Sequence, residues 1–178
     1  KIELAAASDA NWGPQDQLIP FVDNKTAIGL FKTRSISGHL IALHGPVHWS
    51  SKRQKITAHS SAEAEIYATD KCVRDILHLS HIIRDLKLDK NLLTQPIKIF
   101  NDNMACVLWA GNKTNRNLRH LQINENAVRE SAQPNNVEIL HIPGSVNLSD
   151  IFTKEDRDAN HFLSLQNIVL TKPFSTTL

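Results

Sequence analysis

Four carboxylates stand where the pattern of the chain changes. Asp9 follows the small-residue run Ala5-Ala6-Ala7-Ser8, and Glu63 sits in Ser60-Ser61-Ala62-Glu63-Ala64-Glu65. Asp102 follows Ile97-Lys98-Ile99-Phe100-Asn101, and Asp150 lies in Val146-Asn147-Leu148-Ser149-Asp150-Ile151-Phe152-Thr153-Lys154. Carboxylates drawn together from distant parts of a chain repel one another, and they do not all stay ionised without counter-charge. Hard divalent cations such as Mg²⁺ supply that charge, take oxygen ligands and are commonly shared with substrate phosphates. The set therefore points to metal-dependent phosphodiester chemistry, with two Mg²⁺ ions about 3.5–4 Å apart as the expected cofactor and Mn²⁺ as a substitute. Each acid also has a plainer reading. An Asp at a strand end serves as a turn residue or cap, and a Glu in a first helical turn complements the helix dipole.

The elements that must position these acids alternate between strands and helices. Residues 2–8 read as a strand ending at Asp9, and residues 12–34 as a long loop marked by Gly13, Pro14, Pro20 and Gly29. Strands near 38–43 and 47–51 are joined by the turn Gly45-Pro46, so the first three strands form an antiparallel meander. Ile66, Val73, Ile76, Leu77, Ile83 and Leu86 repeat at helical spacing and predict a helix over 61–87, capped by Ser60 or Ser61 with Glu63 in its first turn. A strand at 97–100 runs into Asp102, and a helix at 104–109 is closed by Gly111. Further helices are expected at 118–131, around Asp150 and at 158–169, with a strand at 137–142 between them. If the strands before Asp9 and Asp102 are parallel neighbours, both carboxylates emerge at the edge where open α/β sheets place their sites.

Composition narrows the function classes. At 178 residues the chain makes one domain, here 1–170 with a tail 171–178, long enough to bury a core without disulfides or a structural metal. The net charge of +2 excludes a broadly basic nucleic-acid surface, so any such surface must be a local patch. Lys52, Arg53 and Lys55 beside Trp49 offer one patch for phosphates; a solvated edge-strand guard is the alternative reading. Trp49 itself is expected in the core. Cys72 and Cys106 lack CxxC partners and read as buried small hydrophobes. No run of about 18 apolar residues is present, so no membrane helix and no membrane partner are expected. The abrupt opening in a strand suggests a domain cut from a longer polyprotein.

Five local blocks carry a resemblance. Thr33-Arg34-Ser35-Ile36-Ser37-Gly38-His39 with Trp49-Ser50-Ser51-Lys52-Arg53-Gln54-Lys55, Ser60-Ser61-Ala62-Glu63-Ala64-Glu65, Asp102-Asn103, Arg119-His120-Leu121, and Asp150-Ile151-Phe152-Thr153-Lys154 stand in order and spacing. Over about residues 2–170 they resemble the ribonuclease H domain of Ty1/copia-type LTR retrotransposons. That resemblance implies an RNase H-like α/β fold, a five-stranded mixed sheet in the order 3-2-1-4-5 flanked by helices. It implies hydrolysis of the RNA strand of RNA–DNA hybrids during reverse transcription, with the reverse transcriptase domain of the same polyprotein as partner and a cytoplasmic virus-like particle as setting. Carried over by motif, the metal ligands would be Asp9, Glu63, Asp102 and Asp150, with Glu63 preferred to Glu65 as the first Glu of its block. Asn103 would contact the hybrid near the scissile site, helix capping being its plainer role; Arg116, Arg119 and His120 would touch the DNA strand. His141 falls within a strand and reads as structural. A catalytically silent RNase H-like connection module and an integrase-type nuclease are the competing readings. The intact carboxylates argue against the first, and an Asp rather than a Glu at the last acidic position against the second.

Overall fold

Small side chains at the centre of the sheet decide how closely everything else packs. In the computed structural model, which describes residues 3–11, 34–93, 95–111, 136–154 and 159–171, the first strand β1 (Ala5–Asn11) is the middle of five. Ala5, Ala6 and Ala7 are fully buried there. Ala6 belongs to the face that packs against the long helix α1 (Ser61–Asp85), where Ala64 and Ala68 pack on Ala10. β2 (Ile36–Ala42) and β3 (Pro46–Arg53) add antiparallel on one side; β4 (Ile97–Asn101) and β5 (Val137–His141) add parallel on the other. The sheet order is β3-β2-β1-β4-β5, the order that the resemblance implies. It is a mixed sheet in which an antiparallel meander is extended by crossovers.

The main core lies between the sheet and the apolar face of α1. Ile66, Val73, Ile76 and Ile83 meet Leu4, Ala6, Ile41, Ile97 and Ile99, and Cys106 and Trp109 join from α3 (Met104–Gly111). The other face is covered by two 3₁₀ turns, Gly144–Val146 and Leu148–Phe152, and by α4 (Ala159–Thr171); Leu40, Leu148 and Leu165 pack there. A short helix α2 (Asp89–Leu92) follows α1.

Several expectations shift. β1 starts at Ala5 and continues to Asn11, so Asp9 lies inside the strand rather than at its end. Asp150 is carried by a 3₁₀ turn, not a helix. Trp49 is 57% exposed on edge strand β3, and the core tryptophan is Trp109; an edge strand offers little to bury an aromatic ring against. The expected loop at 12–34, except Arg34, and the expected helix at 118–131 lie outside the described residues. Cys72 and Cys106 are buried free thiols, as expected. No described helix is long and apolar enough to cross a membrane.

Candidate active site

The parallel pair β1 and β4 aligns Ala5 with Lys98, Ala6 with Ile99 and Ala7 with Phe100. Continuing that register by two residues places Asp9 opposite Asp102. The pairing between β1 and β4 stops before them, and the polar side chain of Asn101 takes over from that backbone ladder. Its buried amide nitrogen donates to the Ser8 carbonyl at 3.3 Å and to Glu65 Oε2 at 3.0 Å, while its oxygen accepts from the Asn103 N–H at 2.8 Å. Asn147 donates to the same Ser8 carbonyl from the other side, at 3.2 Å. Two asparagines thus hold together the β1 end, the β4 end and the 3₁₀ segment.

Asp9, Glu65 and Asp102 each offer one carboxylate oxygen within 4.8 Å of the others'. The structure thus brings Glu65, rather than the expected Glu63, into this group. Two residues along a helix turn the side chain by roughly 200°. Glu63 therefore points back to the helix start. Its Oε2 accepts the His59 N–H at 2.6 Å, and its own N–H donates to Ser60 Oγ at 3.1 Å, so Ser60 caps α1 and Glu63 ties down the residue before the cap. Glu65 points into the protein, 5% exposed, toward Asp9 and Asp102. The pattern Ser-x-x-Glu was the available signal, since it marks the first Glu as the cap.

Asp150 lies beside this trio, close enough for its charge to act on Asp9 and Asp102. Its Oδ2 accepts from Lys154 Nζ at 2.5 Å and lies 3.5 Å from His161 Nε2, while its Oδ1 is buried with no hydrogen-bond partner among the described residues. Thr153 Oγ1 donates to Asp9 Oδ2. Thr153, Lys154 and His161 were not singled out from the sequence. Lys154 follows Asp150 at helical spacing (i, i+4), a signal present but unread.

Two close approaches depend on glycine. Gly38 pairs with Asp9 across β1 and β2. A Cβ there would meet Thr153 Cγ2 at 2.5 Å and Phe152 Cβ at 2.9 Å, so the segment bearing Asp150 and Thr153 seats only on a bare backbone. A Cβ on Gly144 would come within 2.9 Å of Asp102 Oδ2.

The electrostatics follow from burial and like charge. Burial, then the Asp9 and Asp102 charges, push the Glu65 carboxyl far above its ordinary value, against the Asn101 hydrogen bond. Burial also raises Asp9; the Thr153 hydrogen bond opposes this, and the Asp150 charge adds to it. Asp102 is raised by burial and by Asp150. For Lys154, burial works against the charged form, but the bond to Asp150 and the charges of Asp9, Asp150 and Asp102 outweigh it and raise its pKa. The oxygen-only donor set, the self-repelling acids and the orphaned Asp150 Oδ1 fit hard divalent cations.

The remaining site expectations divide. Asn103 is the α3 cap, its Oδ1 accepting the Cys106 N–H at 3.1 Å. Lys52, Arg53 and Lys55 are all exposed at β3 and just after it, away from the carboxylate trio in sequence and strand order. His141 ends β5 and places Nε2 3.1 Å from the Asp102 carbonyl oxygen, a positioning contact beside the site. Arg116, Arg119 and His120 lie outside the described residues.

Comparisons with known proteins show what the chain and its fold resemble. The Pol polyprotein of transposon RE1 from Arabidopsis thaliana is 26% identical over 156 residues, 86% of this chain. The Ty1-DR5 Gag-Pol polyprotein from Saccharomyces cerevisiae is 24% identical over 153 residues, 85% of the chain. The homologues of this chain are Ty1/copia-type retrotransposon Pol polyproteins. It spans only 9% and 8% of the length of those two relatives. No protein-family model matches it. Among solved structures, LC11-RNase H1 isolated from compost superposes with a TM-score of 0.56 at 14% identity, covering 86% of this chain and 94% of that one. The same protein in complex with an RNA/DNA hybrid gives 0.50 at 16% identity, covering 84% and 93%. The fold is that of RNase H.

Proposed function

We propose that this Pol segment is a metal-dependent endoribonuclease that hydrolyses the RNA strand of RNA–DNA hybrids during retroelement reverse transcription. The observation that carries this is the convergence of Asp9, Glu65 and Asp102 within 4.8 Å, with Asp150 alongside, at the end of the parallel strands of an RNase H fold. Asp9, Glu65, Asp102 and Asp150 would hold two Mg²⁺ or Mn²⁺ ions. Such ions, when bound, supply a hydroxide nucleophile at neutral pH and stabilise the leaving 3′ oxygen.

The chain's own residues do the rest. Asn101 and Asn147 fix the backbone around Ser8, so that Asp9, Glu65 and Asp102 are aimed before substrate arrives. That preorganisation matters because misplacement by an ångström removes most of the benefit of a prepared site. Lys154 and Thr153 hold Asp150 and Asp9 through one hydrogen bond each, leaving other carboxylate oxygens for ligation. Half-buried Asp102 and the α3 cap Asn103 face the position where a scissile phosphate would reach the trio. Lys52, Arg53 and Lys55 would position the duplex through phosphates without reading its sequence. The reverse transcriptase domain of the same polyprotein is the proposed partner, in a cytoplasmic particle.

The test is cleavage of an end-labelled RNA–DNA hybrid with Mg²⁺ or Mn²⁺, with single-stranded RNA, duplex DNA and Asp102→Asn as controls. Only the RNA of the hybrid is cut, and the substitution removes the activity. Hybrid binding without cleavage under either metal would instead favour a silent connection module. Cleavage of duplex DNA would favour a DNA nuclease.

A further inference from the structure

A second group of ligand-type side chains converges away from the carboxylates, where β2 and β3 meet the middle of α1. His39 of β2 pairs with Ser50 of β3, so His48, two residues before Ser50, is its diagonal neighbour on the same face of the hairpin. The two imidazole rings stack with centroids 5.4 Å apart and planes 28° apart. Asp75 comes down from α1 between them. Its Oδ2 lies 3.1 Å from His39 Nε2 and 3.5 Å from His48 Nε2, and the three ligand atoms all lie within 4.8 Å of one another.

His39 is the informative member. It is 1% exposed, and its Nε2 lies 3.1 Å from Asp75 Oδ2 with no further hydrogen-bond partner among the described residues. Two imidazoles and a carboxylate oxygen facing one another each offer an electron-rich donor atom. A cation among them satisfies all three.

We propose that His39, His48 and Asp75 form a site for one first-row divalent transition cation, Zn²⁺ first among them. Bonds of about 2.0–2.1 Å in a tetrahedral site imply ligand–ligand edges of about 3.3–3.4 Å. The two N–O separations of 3.1 and 3.5 Å bracket that edge. Lys71 Nζ holds the opposite oxygen, Oδ1 of Asp75, at 2.6 Å. It thereby leaves Oδ2 for the metal and orients it, as outer-shell partners of ligating carboxylates do. Half-exposed His48 and the largely buried Asp75 line a cavity of about 530 Å³ together with Trp49, Lys52, Lys71 and Phe152. The fourth position therefore opens to water or an anion. Imidazole donors favour Zn²⁺ over Mg²⁺, so this site and the all-oxygen carboxylate group sort the two ions by ligand chemistry.

The test is calorimetric titration of the untagged chain with Zn²⁺ in excess Mg²⁺, beside the variants His48→Ala and Asp102→Asn. Long-range ¹⁵N spectra of the histidine rings are recorded over the same titration. One equivalent binds; H48A weakens it by at least about tenfold, since even outer-shell losses weaken metal binding by 10–100-fold. D102N leaves it unchanged, and the His39 and His48 ring nitrogens shift together at one equivalent. Because His48 is half-exposed, H48A keeps the native far-UV spectrum, which is checked first. Absence of Zn²⁺ binding, binding unchanged in H48A, binding lost in D102N, or unmoved His39 nitrogens would each overturn the proposal.

Discussion

Replacing Glu65 by Gln should stabilise the metal-free protein while abolishing its activity, whereas replacing Glu63 should do the reverse. Glu65 is buried against Asp9 and Asp102, and its carboxyl is held protonated above neutrality in the folded chain, against an ordinary value of 4.5. A carboxyl whose folded pKa is raised contributes its full stability below the unfolded value and loses it as pH rises toward the folded value. At pH 7 the unfolded chain gains the ionisation and the folded one does not, a penalty on the order of 3 kcal/mol. Gln carries no such penalty and keeps an oxygen for the Asn101 amide, which reaches Glu65 Oε2 at 3.0 Å. In EDTA at pH 7, E65Q should therefore melt higher, by roughly 5–10 °C for a chain of this size. The gain should vanish near pH 4, where both states hold the proton. Glu63→Ala removes the acceptor of the His59 N–H and a negative charge at the α1 start, and should lower stability by about 0.3–1 kcal/mol. With Mg²⁺ or Mn²⁺ present the order reverses, because cations stabilise the wild type by binding only its folded form. Hybrid cleavage should survive in E63A and be lost in E65Q. An E65Q melt below wild type in EDTA, or loss of cleavage in E63A with retention in E65Q, would refute the assignment of Glu65.

Other perturbations follow from the same geometry. Gly38→Ala should destabilise the protein by about 1–3 kcal/mol in denaturant titrations and reduce hybrid cleavage, because the new methyl displaces Phe152 and Thr153. Lys154→Met should destabilise the metal-free chain by roughly 1–3 kcal/mol, since it removes the cation bonded to buried Asp150; saturating Mg²⁺ should shrink that deficit, as a melt with and without the ion shows. In EDTA, stability should fall as pH drops from about 6.5 to about 4, because the unfolded chain protonates His39 there and the folded chain does not. His39→Gln should flatten that slope; an unchanged slope would mean that another group sets it.

The strands and helices around the site were legible because their signals are local. Alternating apolar residues, the Gly45-Pro46 turn and the Ser60 cap mark β2, β3 and α1 without reference to the rest of the chain. That Asp9, Asp102 and Asp150 stand near element boundaries was legible for the same reason: each follows or interrupts a recognisable element. The choice between Glu63 and Glu65 was not, because motif order says nothing about rotation about a helix axis. Only the packing of α1 on β1 turns the Ala64 and Ala68 stripe inward, carrying Glu65 to the carboxylates and leaving Glu63 to cap. Trp49 failed for a related reason. An aromatic ring reads as core until sheet order shows its strand at the edge.

By itself the amino-acid order determined most of the described elements, where Asp9, Asp102 and Asp150 stand in the chain, and the kinship with retrotransposon Pol. Tertiary structure alone decided which glutamate joins them, that Lys154 and Thr153 hold two of the aspartates, and that His39, His48 and Asp75 meet across 36 positions of chain. The physical reason is that secondary structure is written in neighbours a few residues apart, whereas a site is a set of directions in space. Those directions exist only once the sheet has fixed its register and the helix its rotation.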